Sequence, residues 1–149
     1  MADFEFVILA NHAEAQNGLL YLSGAGWNDA NLLFTSEGPS TPLHFGIAVS
    51  VLVPWAETNR RHRLEMWVEH EDGGDALLQA EGDLEVGRPA GIQQGSDQRA
   101  VLALNTITQF PKAGGYRVVA RLDASKTRTI PFRVKNLGIP LVPPAQAAG

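Results

Sequence analysis

At 149 residues the chain is expected to form one domain, long enough to bury a core without covalent staples. It has no cysteine, which excludes a disulfide framework and a thiolate metal site. The net charge of −4 argues against a dedicated nucleic-acid binder, which carries a basic face.

The first residues, "MADFEFVILANHAEAQ", have no basic start, and Glu5 interrupts the apolar run. That pattern does not match a signal peptide. No apolar window approaches the ~20 residues of a membrane helix. The expectation is a soluble cytoplasmic protein with no membrane contact.

The elements read as short β-runs separated by Gly, Pro, Asn and Asp. "FEFVILA" at 4–10 is the first. "NHAEAQN" at 11–17 is the longest plausible helix and would make only a turn or two. "GLLYLSG" at 18–24 is a second strand, followed by the turn "GAGWND" at 24–29. That turn is no phosphate loop, because Asp29 replaces the third glycine and no long helix follows; Trp27 is expected to pack at one end of the fold. "LHFGIAVSVLV" at 43–53 is nearly continuous in apolar character, which predicts a central strand covered on both sides.

"RLEMWVEHEDGGD" at 63–75 alternates: Leu64, Met66 and Val68 point one way, and Glu65, Trp67 and Glu69 the other. "DGGD" supplies a hairpin turn, and "ALLQAEGDLEVG" at 76–87 returns. A loop at 88–97 leads to a strand at 98–107. "YRVVARLD" at 116–123 and "RTIPFRV" at 128–134 form a last hairpin. Tyr116, after "AGG", is placed for a corner hydrogen bond of the kind found in sandwiches. About eight closely spaced strands predict a sandwich or barrel. The uncharged tail 136–149 holds three of the nine prolines and is expected to pack through Leu137, Ile139, Leu141 and Val142 before fraying.

Four stretches carry a resemblance: "VPWAETNRRHR" (53–63), "EHEDG" (69–73), "EGDLEVGRPAG" (81–91) and "GGYRVVARLD…IPFRV" (114–134). With them the chain resembles an uncharacterised family of small bacterial β-sandwich proteins. The resemblance implies an immunoglobulin-like fold over most of residues 1–135 and no activity. The expected fold class is all-β: a single immunoglobulin-like antiparallel β-sandwich at 1–135, with 136–149 as a tail.

The stretch "PWAETNRRHR" at 54–63 is the first candidate site. Pro54 ends the preceding strand. The bland interpretation is a polar crossover between sheets, capped by Trp55, with Glu57 accepting from Arg60 or Arg61 and Asn59 closing the loop. The functional interpretation makes Trp55 an apolar anchor, with Arg60, Arg61 and Arg63 as donors to a carboxylate or phosphate. A nucleic-acid patch is disfavoured, because no aromatic row accompanies the basic residues.

His12, His44, His62 and His70 show no metal-ligand spacing and read as surface or rim histidines. "EHEDGGD" at 69–75 misses the spacing of a calcium loop and reads as a hairpin. No nucleophile has a readable context, so no enzyme, metal or cofactor is expected. Trp67 stands apart, a tryptophan on an outer sheet face. The candidate binding residues are therefore Trp55, Glu57, Asn59, Arg60, Arg61 and Trp67. The expected function is a non-enzymatic module binding another protein or itself. The alternative is a small-ligand or carbohydrate-binding sandwich.

Overall fold

The most apolar run becomes the middle of a sheet. The computed structural model describes residues 1–138. In it β5 (Leu43–Val53) lies between β1 (Asp3–Ala10) and β8 (Gln98–Thr108), antiparallel to both. Phe45, Ile47, Val49, Val51 and Val53 point inward and are completely buried. Each contributes roughly 1.5–3 kcal/mol by leaving water.

The second layer has five strands in the order β4 (Asp29–Leu32), β10 (Lys126–Asn136), β9 (Gly114–Leu122), β6 (Arg61–His70) and β7 (Leu78–Glu85). All pairings in it are antiparallel except that of β4 with β10, which is parallel. Leu64, Met66 and Val68 of β6 and Val118, Ala120 and Leu122 of β9 face the first sheet and close the core. The fold class is thus the expected all-β antiparallel sandwich. No helix among the described residues is long and apolar enough to cross a membrane.

Among the described residues there are ten strands rather than about eight, and the difference lies near the N-terminus. Residues 11–17 form no helix. β2 (His12–Gln16) pairs with β3 (Leu19–Ser23) as a separate hairpin. The reason is local: Asn17 and Gly18 adopt φ of 51° and 75°, the left-handed conformation of a tight hairpin turn.

This hairpin crosses the outer face of the first sheet, which explains why β5 is covered on both sides. A Cβ at Gly46 would lie 2.9 Å from the Ala13 nitrogen, so only glycine admits β2 at this distance. Asn105, opposite Gly46 on β8, accepts from Ala13 N–H at 3.0 Å and donates to the Ala13 carbonyl at 2.6 Å.

One end of the core is aromatic. Trp27 meets Phe45 and Phe132 edge-on, with ring centroids 6.1 and 5.6 Å apart. Tyr116 stacks with Phe132, and its hydroxyl donates to the Lys112 carbonyl at 2.6 Å. The expected corner bond is therefore made. Leu137 donates its backbone N–H to Leu32 at 2.9 Å. Ile139, Leu141 and Val142 lie outside the described residues.

Candidate functional site

The candidate residues fall into two groups. Trp55, Glu57, Asn59, Arg60 and Arg61 occupy the passage from one sheet to the other and the first residue of β6. Trp67 lies six residues further along β6, about 20 Å away at ~3.3 Å per residue.

The passage is a closed network. Pro54 precedes a single 3-10 turn at Trp55–Glu57. The Arg88 guanidinium sits 4.1 Å from the Trp55 ring centroid and donates to the Trp55 carbonyl at 2.6 Å. Thr58, which is buried, donates to the same carbonyl at 2.7 Å. Asn59 has φ of 60°, and its N–H binds the Val86 carbonyl at 2.7 Å, which ties the turn to the end of β7. Glu57 accepts from Arg60 at 2.9 Å and from the Met1 amino group at 3.0 Å. Burial pushes its carboxyl up, but the amino group, Arg60 and the Ala2 N–H outweigh this and lower it to about 2. Arg60 and Arg61 remain exposed.

His62 holds this network, and it corrects the expectation of a surface or rim histidine: it is 1% exposed. Its Nδ1 lies 2.7 Å from Asp123 Oδ2 and its Nε2 2.9 Å from the Glu57 carbonyl. Both partners are oxygens that only accept, so both contacts are hydrogen bonds only when both ring nitrogens carry protons. Burial disfavours that cation. The Asp123 carboxylate and the Glu57 carbonyl overcome burial and raise the histidine above its ordinary 6.5. Asp123 also accepts the Arg63 N–H at 2.8 Å. The signal was present in the alternation, because His62 is in phase with the inward Leu64, Met66 and Val68. Its partner Asp123, sixty-one residues away, carried no local signal.

Trp67 has a different setting. It lies on the outer face of the five-stranded sheet, as the alternation predicts, opposite Val119 on β9 and Gln79 on β7. Cross-strand ion pairs flank it: Arg121 with Glu65 (Nε–Oε2 2.8 Å) on one side and Arg117 with Glu69 (3.3 Å) on the other. The Arg121 guanidinium stands 5.3 Å from the Trp67 ring centroid. The indole N–H donates to Glu69 at 3.2 Å, leaving the ring half-buried. Beside it opens a groove of about 750 Å³, walled by Gly74–Ala76 of the hairpin loop and by Gln79, Glu81 and Arg121. Arg117 and Arg121 were not among the candidates, because only strand pairing puts them beside Trp67.

Elsewhere, His12 and His44 stack, with Nδ1 and Nε2 3.4 Å apart. Among the described residues no group of three or more His, Cys, Asp or Glu could hold a metal ion.

The three tryptophans thus sit in three places: Trp27 in the core, Trp55 under Arg88, and Trp67 on a sheet face beside a groove. What such a sandwich belongs to is given by comparison with known proteins. Residues 5–135 match DUF6941, a family of unknown function, and the chain belongs to that family. No curated protein matches it. Among solved structures it is similar to a β-glucuronidase from glycoside hydrolase family 2, at 16% identity and a TM-score of 0.45. That likeness covers 68% of this chain and spans only 10% of the enzyme's length.

Proposed function

We propose that the chain is a non-enzymatic, immunoglobulin-like interaction module of the bacterial cytoplasm, and that it docks another protein on the sheet face centred on Trp67. The observation that supports this reading is the arrangement around that ring. A tryptophan lies between two Glu–Arg pairs with an open groove alongside, the composition of a contact centre with a polar rim. The order β4-β10-β9-β6-β7 gives this face five strands of platform, with the Arg121 guanidinium 5.3 Å from the ring centroid and the indole N–H on Glu69. The network at 54–63 supports a structural role for that stretch, because Glu57 and Arg60 already hold each other.

The test is capture of partners from the native cytoplasm by the tagged protein, with Trp67→Ala and Arg60→Ala variants alongside. The expected result is a partner lost with Trp67→Ala and kept with Arg60→Ala, both variants giving a wild-type circular dichroism spectrum. Equal capture by all three would sink the proposal. The groove also supports a small-ligand reading of the same face. A Trp27→Phe, Trp55→Phe protein would report on Trp67 alone, and fluorescence unchanged across a ligand panel would remove that reading.

A further inference from the structure

Among the described residues the two sheets of the sandwich have four edge strands, and three of them are guarded against pairing with another chain. β4 is only four residues long. β7 carries Glu81, Asp83 and Glu85, two of which hold Arg63. β1 carries Asp3 and Glu5, its register breaks between Phe4 and Phe6, and Arg128 donates to its Phe4 carbonyl at 3.0 Å. Charges, bulges and short length are the usual means by which a sheet edge avoids adding strands.

β8 has none of them over residues 100–108. It is eleven residues long, and its stretch "AVLALNTIT" at 100–108 contains no charge, proline or glycine. Its only charged residue, Arg99, is turned to Glu5 in a bidentate pair. One side of β8 pairs with β5. Among the described residues the other side makes no backbone hydrogen bond. Leu102 and Leu104 point inward but remain half-buried, because the sandwich is open between β8 and β7. The opening is a mainly apolar cleft of about 170 Å³ lined by Leu64, Met66, Leu84, Leu102 and Leu104, with Glu81 and Asp83 of β7 also on its wall. Ile107, on the same strand, is 70% exposed.

We propose that a second copy of this chain covers this edge, the two β8 strands pairing antiparallel about a two-fold axis near Ala103. In that register Leu102 of one copy faces Leu104 of the other, and the reverse. The two inward leucine pairs then sit side by side over both clefts. Ala103 meets its own symmetry mate, and Val101 meets Asn105. No like charges oppose each other between residues 100 and 106, so the strand is complementary to itself in both pattern and charge. The three-stranded sheets of the two copies become one six-stranded sheet. The chain's own C-terminal stretch, "IPLVPP" at 139–144, is a poor competitor because three of its six residues are prolines without an N–H. An edge contact of this size belongs to the smaller interfaces, with a dissociation constant on the order of 10 μM.

The absence of cysteine makes the test direct. Ala103→Cys should give a disulfide-linked dimer under mild oxidation, at least about tenfold faster than Glu81→Cys on β7, because only the first places the two sulfurs across the axis. Sedimentation should show the wild type dimerising, and Ala103→Lys should weaken this about tenfold or more with an unchanged folded spectrum, since two ammonium groups would then face each other. Three results would each overturn the proposal. One is a wild type that stays monomeric to about 200 μM, well above the expected dissociation constant. The second is cross-linking no faster at position 103 than at 81. The third is a dimer lost with Trp67→Ala but kept with Ala103→Lys, which would move the contact to the other sheet.

Discussion

The crossover at 54–63 and the face around Trp67 use the same materials, one tryptophan with arginines and glutamates, to opposite ends. In the crossover the polar groups face inward on one another. Arg88 lies over Trp55, Glu57 takes Arg60 and the Met1 amino group, and His62 joins Asp123 to the Glu57 carbonyl. On the face, the ion pairs lie beside Trp67 along the strands, and a groove stays open between them and the hairpin loop. The position of the polar partners therefore separates structure from recognition. A partner that is buried or reached through the backbone fixes the chain. A partner that is solvated and can swing away leaves a surface.

The sharpest way to break that comparison is to exchange the two roles. His62→Leu leaves Asp123 and the Glu57 carbonyl without their donor and should cost about 3 kcal/mol, read as a lower denaturant midpoint. Removing the Tyr116 hydroxyl with Tyr116→Phe should cost about 1 kcal/mol, because the Lys112 carbonyl then loses its bond. Trp67→Ala should change stability by less than about 1 kcal/mol while abolishing capture of the partner protein and leaving pairing through β8 intact. A Trp67→Ala cost equal to that of His62→Leu would make the face structural as well.

pH sharpens the same contrast. His62 is held above its ordinary 6.5, so its contribution is complete below pH 6.5 and fades as pH rises through the higher folded value. Wild type should therefore lose stability on the alkaline side of 6.5, and His62→Leu should lose that slope. Glu57 has the opposite sign: lowered to about 2 from 4.5, it contributes above pH 4.5 and is lost as pH falls toward 2. Glu57→Gln should flatten the acid limb of a stability profile measured by chemical denaturation. The smallest effect belongs to the β9–β10 turn, where Asp123 and Ala124 have φ of 51° and 56°. Ala124→Gly should relieve that left-handed alanine and raise stability by about 0.5 kcal/mol, read as a higher denaturant midpoint.

Much of this was legible along the chain. Alternation in β6 assigned Leu64, Met66 and Val68 to the core and Trp67 to the outside, because side chains on a strand change face at every residue. The apolar run of β5 announced a strand covered on both sides. The same rule places His62 on the inner face, but its carboxylate partner Asp123 lies sixty-one residues away and leaves no local signal of the bond. The hairpin at 12–23 was signalled by Asn17-Gly18 and masked by a short stretch of good helix formers, Ala13 to Gln16.

The sequence by itself determined the all-β class, the inward and outward faces of β6 and the turns that join β6 to β7 and β9 to β10, because these depend on neighbouring residues. Tertiary structure decided the rest. It set Asp123 against His62, Arg88 over Trp55, Arg121 beside Trp67 and Asn105 against Ala13, and it left β8 as an unguarded edge above an apolar cleft. Such pairings join residues 33 to 92 positions apart. They arise when strands choose neighbours across the sheet, and that choice is settled by packing the whole core at once.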